Sequence, residues 1–177
     1  MNDKTLELFD AAYAGDIEKV KVCIDRGGDV NAINSCGDTP LIEAIASDNA
    51  KNRVAIVKLL IEHGADPDFK GEENCGVLFQ AILNKDPEIM EILLHNGADP
   101  NFDLDGESLY ERASFDYLYD AFNLKLPLKP TEQDAANEEA WLDFLDRCAE
   151  IAEVFKPEFL RVLLKYGAGV SDETQKV

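Results

Sequence analysis

The sequence predicts an all-α solenoid of about five helix pairs with short hairpin or turn connections, a degenerate fourth repeat and a long acidic helix near the C-terminus. Three observations lead there. A glycine-centred phrase recurs at near-regular spacing, an apolar helical stripe precedes each copy, and a second, shorter helical pattern lies upstream of each stripe.

The phrase reads Asp25-Arg-Gly-Gly-Asp-Val-Asn31, then Glu62-His-Gly-Ala-Asp-Pro-Asp68, then His95-Asn-Gly-Ala-Asp-Pro-Asn101, and shortens to Lys165-Tyr-Gly-Ala-Gly169. Its glycines, Gly27, Gly64, Gly97 and Gly167, stand 37, 33 and 70 residues apart. The last gap leaves room for one more unit that lacks its own glycine. Each glycine follows an apolar stripe with helical spacing, such as Ile56, Val57, Leu59, Leu60 and Ile61, or Phe159, Leu160, Val162, Leu163 and Leu164. Glycine stops such a helix cheaply because the position after the C-cap favours a left-handed backbone. Pro67 and Pro100 then forbid continuation.

The shorter helix is clearest at Thr39-Pro40-Leu41-Ile42-Glu43-Ala44. The Thr39 hydroxyl suits the N-cap and Pro40 the first helical position. Small residues (Ala11, Ala12, Ala44 and Ala81) let the paired helices approach closely.

These residues resemble the ankyrin repeat, with its period of about 33 residues and its Thr-Pro-Leu-His-x-Ala phrase. Residues 39–44 match that phrase at all but the histidine, and the first unit keeps the family register through Ala11-Ala12, Gly15-Asp16, Gly27 and Asp29-Val30-Asn31-Ala32. The resemblance covers residues 1 to about 113 and returns over 155–170. It implies one domain, 1–170, with repeats at about 1–33, 34–70 and 71–103, a degenerate repeat at 104–130, an irregular capping repeat at 131–170, and a frayed tail at 171–177. Phe9, Ile42, Phe79 and Glu111 replace the family histidine, so apolar packing is expected to join the units. Unit two carries four extra residues near Ser47 to Arg53.

The C-terminal third is irregular. Residues 107–123 keep helical spacing, as one helix or two. Leu124 to Pro130 reads as an extended connector, and Thr131 opens a capping-box-like start to a helix running to about Val154. That helix has an apolar face with Trp141, Phe144, Leu145 and Cys148 and an opposite acidic face. Both a structural cap and a partner-facing feature remain open for it, with the cap preferred.

Asp plus Glu number 36 against 17 Lys plus Arg, a net charge of -19 over 177 residues. That sign disfavours nucleic acid and anionic membranes and favours a partner with a basic surface, although solubility alone also accounts for it. No apolar run approaches the ~20 residues of a membrane span. No export signal is visible, no cysteine pair has zinc spacing, and neither a nucleophilic triad nor a phosphate loop is present, so no catalysis, cofactor or metal is expected. Asn101-Phe-Asp103-Leu-Asp105-Gly106 imitates half a calcium loop, but Arg112 stands where the closing Glu belongs, and the segment is read as a turn. His63 and His95 suit helix C-termini.

The resemblance further implies partner contacts at the turn tips and short-helix surface: Tyr13 and Arg26; Ser35, Cys36, Asp38, Ser47 and His63; Glu72, Glu73, Cys75, Asn84 and Asn96; and Asp105 and Glu107. This row turns acidic from Asp66 onward. The expectation is a monomeric, cytoplasmic, non-catalytic module that binds and neutralises or regulates a basic protein, similar to the small acidic ankyrin proteins that act as immunity partners in bacteria. An adaptor or host-directed effector scaffold is the alternative.

Overall fold

A computed structural model describes residues 3–47, 49–71, 76–101, 103–104 and 106–169. Its contacts divide the chain into two compact units, Met1–Asp99 and Pro100–Val177.

Among its described residues the first unit holds three helix pairs: α1 (Asp3–Ala14) with α2 (Ile17–Asp25), α3 (Pro40–Ala46) with α4 (Ala50–Glu62), and α5 (Val77–Leu83) with α6 (Pro87–His95). The first helices pack in the row α1–α3–α5 and the second helices in the row α2–α4–α6. Ala11, Ala44 and Ala81 are fully buried where the helices meet, and Leu8, Leu41, Ile45, Ile56, Leu60, Ile89 and Leu93 fill the interior. Thr39 caps α3 as its hydroxyl suggests, accepting the Ile42 N–H at 3.4 Å, with Pro40 at the helix start. Phe9 and Ile42, at the family's histidine position, are buried.

The glycine stops share one geometry. Gly27, Gly64, Gly97 and Gly167 have φ of +83°, +87°, +106° and +88°. At each, the glycine N–H donates to the carbonyl three residues back and the next N–H to the carbonyl five back, as in Gly64 to Ile61 and Ala65 to Leu60, both 2.9 Å. This double closure satisfies the last carbonyls of the helix and turns the chain sharply.

The residue four beyond Gly27, Gly64 and Gly97 then ties one turn to the next of its kind. Asn31 Oδ1 accepts the Asp66 N–H at 2.8 Å, while its Nδ2 donates to the Gly64 carbonyl at 2.8 Å. Asp68 Oδ1 accepts the Asp99 N–H at 2.9 Å, two residues past Gly97. In the second unit Asn101 Oδ1 accepts the Gly169 N–H at 3.3 Å, two residues past Gly167. The same rung thus recurs, but across a much longer stretch of chain.

The second unit contains a two-residue antiparallel hairpin, β1 (Asp103–Leu104) and β2 (Glu107–Ser108), then α7 (Leu109–Phe122), α8 (Glu138–Ala152) and α9 (Glu158–Lys165). Within residues 107–123 the helical part is one helix, Leu109–Phe122, opened by a Ser108–Glu111 capping box. Its partner is α9, so α7 and α9 make one helix pair with α8 inserted between them in the chain. No glycine marks the ends of α7 and α8 because Asn123 (φ 47°) and Glu153 (φ 56°) take the left-handed position instead.

The acidic helix also begins later than Thr131. Thr131 and Asp134 do bond reciprocally, Thr131 N to Asp134 Oδ2 at 2.7 Å and Asp134 N to Thr131 Oγ1 at 3.3 Å. The turn they make stops there, and the extended Asn137 caps α8 through the Ala140 N–H at 2.9 Å. Leu142, Phe144, Leu145, Cys148 and Ala149 bury one face of α8, while Trp141, half-buried, stacks on Phe144. Tyr117 centres this unit, its ring edge-on to Phe122, Phe155 and Phe159 and its hydroxyl donating to the Phe155 carbonyl at 2.9 Å.

Candidate binding surface

The residues singled out by resemblance occupy several kinds of position. Arg26, His63 and Asn96 each stand just before a glycine stop, exposed, at the ends of α2, α4 and α6. His63 Nδ1 lies 2.9 Å from the Leu59 carbonyl, and Asn96 Nδ2 donates to the Ile92 carbonyl at 2.8 Å, so both side chains finish their own helices. Tyr13 is exposed near the end of α1, and Asn84, half-buried at the end of α5, donates to the Gln80 carbonyl. Ser35 and Cys36 are exposed on the turn before α3, with Asp38 half-buried beside them. Glu107 lies in β2, 4.0 Å from Arg112. Glu72, Glu73, Cys75 and Asp105 lie outside the described residues.

Ser47 differs from these in its burial. It is only 1% exposed, its hydroxyl accepts the Asn49 N–H, and its carbonyl takes the Arg53 guanidinium. The extra residues of unit two fold onto Ser47 and remove it from any accessible surface.

The turn before α3 is organised by Asn34, whose Oδ1 accepts the N–H groups of Cys36 and Asp38 at 2.8 and 3.0 Å. Its Nδ2 donates to Glu43 Oε1 at 2.9 Å. Glu43 is pushed above the ordinary carboxyl range, first by burial and then by the negative charges of Asp38 and Asp10, which the Asn34 bond partly offsets. Asp10 and Glu43 were missed in the sequence because each reads as an ordinary polar position on a short helix. Their signal is the register, one residue before the buried Ala11 and Ala44.

Further along the expected acidic row, two carboxylates have structural duties. Asp66 accepts the Asp68 N–H at 2.9 Å, and Asp68 carries the rung to Asp99. Lys70 lies 3.7 Å from Asp68. Their negative charge remains at the surface, but their geometry is that of turns.

On α8 the acidic face is anchored from α9. Arg161 reaches Glu139, Asp143 and Asp146 at 3.0, 2.9 and 2.8 Å. Burial works to loosen the Arg161 proton, and bonds to Asp146 and Asp143 more than reverse it, holding the guanidinium firmly charged. Burial pushes the Tyr110 hydroxyl up to about 12.

Stacked helix pairs, a recurrent glycine stop and side-chain rungs between turns define a helical-repeat protein. The family model for ankyrin repeats (3 copies) matches residues 8–103, more than half of the chain. The chain belongs to the ankyrin-repeat family, whose repeats generally mediate protein–protein interaction as non-catalytic modules. It is also similar to the 2-5A-dependent ribonuclease of Mus musculus, 41% identical over 61 residues. That stretch is 34% of this chain and spans 8% of the ribonuclease. Among the described residues no helix is long and apolar enough to cross a membrane.

Proposed function

We propose that this chain is a monomeric, non-catalytic binder that neutralises or regulates a protein with a basic surface. The observation that carries the reading is the excess of 19 negative charges on a scaffold whose family works by protein contact. A field of that sign raises encounter rates with a cationic partner and repels anionic ones. Cys23, Cys36 and Cys148 are free thiols, which supports a reducing compartment such as the cytoplasm. Immobilising the chain and passing over it a small basic protein and an acidic one of equal size, across a salt titration, tests the idea. Capture of the basic protein that weakens steeply with salt is expected. Equal capture of both, or capture indifferent to salt, would mean that the acidity serves solubility alone.

A further inference from the structure

The first helices of unit one share a register set by their buried alanines. One residue before Ala11, Ala44 and Ala81 stand Asp10, Glu43 and Gln80, and two residues after stand Tyr13, Ala46 and Leu83. These two positions are three apart and therefore share a helix face. Tyr13 is 52% exposed and Leu83 48%, with Ala46 half-buried between them on the middle helix. Because α1, α3 and α5 pack side by side, the three make an apolar stripe across the unit. Along its edge, Asp10 and Asp38 lie near enough to Glu43 to disfavour its charge. No Lys or Arg among the described residues forms an ion pair with any of these three carboxylates, whereas Glu18, Asp68, Asp86 and Glu88 all have one. An uncovered apolar stripe beside uncompensated negative charge calls for a ligand with both features.

We propose that this face docks an amphipathic, cationic helix of a partner protein, with apolar side chains along Tyr13, Ala46 and Leu83 and Lys or Arg against Asp10, Asp38 and Glu43. The inference rests on the basic-partner reading and specifies how it is met. Three helices packed about 9–10 Å apart span roughly 20 Å, the length of a helix of about 14 residues.

The test uses the full chain and three fluorescent peptides of equal length: a Leu/Lys amphipathic helix, a Leu/Glu helix of the same pattern, and a Lys/Ser peptide with the same positive charge but no apolar face. The Leu/Lys peptide is expected to bind more tightly than either control. Tyr13→Ser with Leu83→Ser, and separately Asp10→Asn with Glu43→Gln, should each weaken it by about tenfold. All four side chains are at least partly exposed, and circular dichroism verifies that the fold persists. If the Lys/Ser peptide binds as tightly as Leu/Lys and the Tyr13/Leu83 variant is unaffected, the docking face is overturned while the basic-partner reading stands. If neither cationic peptide binds at low salt, both fall. Equal binding of the Leu/Glu peptide overturns the charge element and with it the proposal.

Discussion

Arg161 offers the sharpest test of how the inserted helix is held. Its guanidinium contacts three carboxylates of α8, and their exposures differ: side chains of Glu139 and Asp143 are 70% and 62% exposed, that of Asp146 only 23%. In Arg161→Met the first two rehydrate, so each lost pair costs only ~0.2–1 kcal/mol. Asp146 cannot, and its Oδ1 is already buried with no hydrogen-bond partner. Stranding a largely buried charge costs about 1–3 kcal/mol, which brings Arg161→Met to roughly 1.5–5 kcal/mol in all. Replacing both ends with apolar groups removes the stranded charge, so Arg161→Met with Asp146→Leu should recover most of that loss. Urea unfolding followed by tryptophan fluorescence reads this directly, because the single tryptophan, Trp141, lies on α8 and stacks on Phe144 at 5.1 Å. Glu139→Gln and Asp143→Asn serve as solvated controls. The reasoning fails if either control costs as much as Asp146→Asn, or if the double variant is less stable than Arg161→Met.

Three further outcomes follow from single observations. Asn31→Ala removes both bonds to the next repeat and should cost about 1–2 kcal/mol, more than Asp68→Ala, which removes one rung, in chemical denaturation of the full chain. Gly64→Ala meets no atom within 4 Å, so its expected penalty of about 1 kcal/mol is backbone strain at φ +87° alone, and Gly64→Asn should be milder. The Asp134 carboxyl is held down to about 2 by its bonds from Thr131 and then from Arg147. Its charged form is favoured in the fold, so its contribution is complete above the ordinary value of 3.8 and fades as pH falls toward 2. A carbon-detected NMR titration should find it still ionised at pH 3, and a midpoint near 4 would refute the assignment.

The regular part of this fold was legible because each of its devices has a restrictive residue requirement. A left-handed stop wants glycine, a close helix contact wants alanine, and an N-cap followed by proline wants Thr39-Pro40. Where the requirement loosens, the reading slips. Asn123 and Glu153 end α7 and α8 in the left-handed region without glycine, so the boundary between repeats vanished from the sequence. Thr131 and Asp134 have the letters of a helix start and make its bonds, yet α8 begins after Asn137. Ser47 holds a surface register by count, and only the folding of the extra loop through Asn49 and Arg53 turns it inward. For the candidate surface, individual turn residues were legible, but the stripe on the first helices depends on α1, α3 and α5 lying side by side, which no local pattern states.

The insertion explains why the repeat frame survives such a departure. Two residues, Gly15 and Asp16, join α1 to α2, whereas residues 123–157 join α7 to α9. That is about four doublings in loop length, a closure cost of roughly 2–3 kcal/mol. The cost is small because entropy grows only logarithmically with length. Against it, α8 buries Leu142, Phe144 and Leu145, each contributing ~1.5–3 kcal/mol, so the helix offsets its own closure. The Asn101–Gly169 rung then forms with the same register as Asn31–Asp66, because nothing in the insertion has to distort the pair it interrupts. It follows that the outer face of α8 is under weak constraint from the repeat geometry. Its Glu139 and Asp143 can be exchanged for neutral residues at little cost to the fold, which is the condition for a surface to diverge.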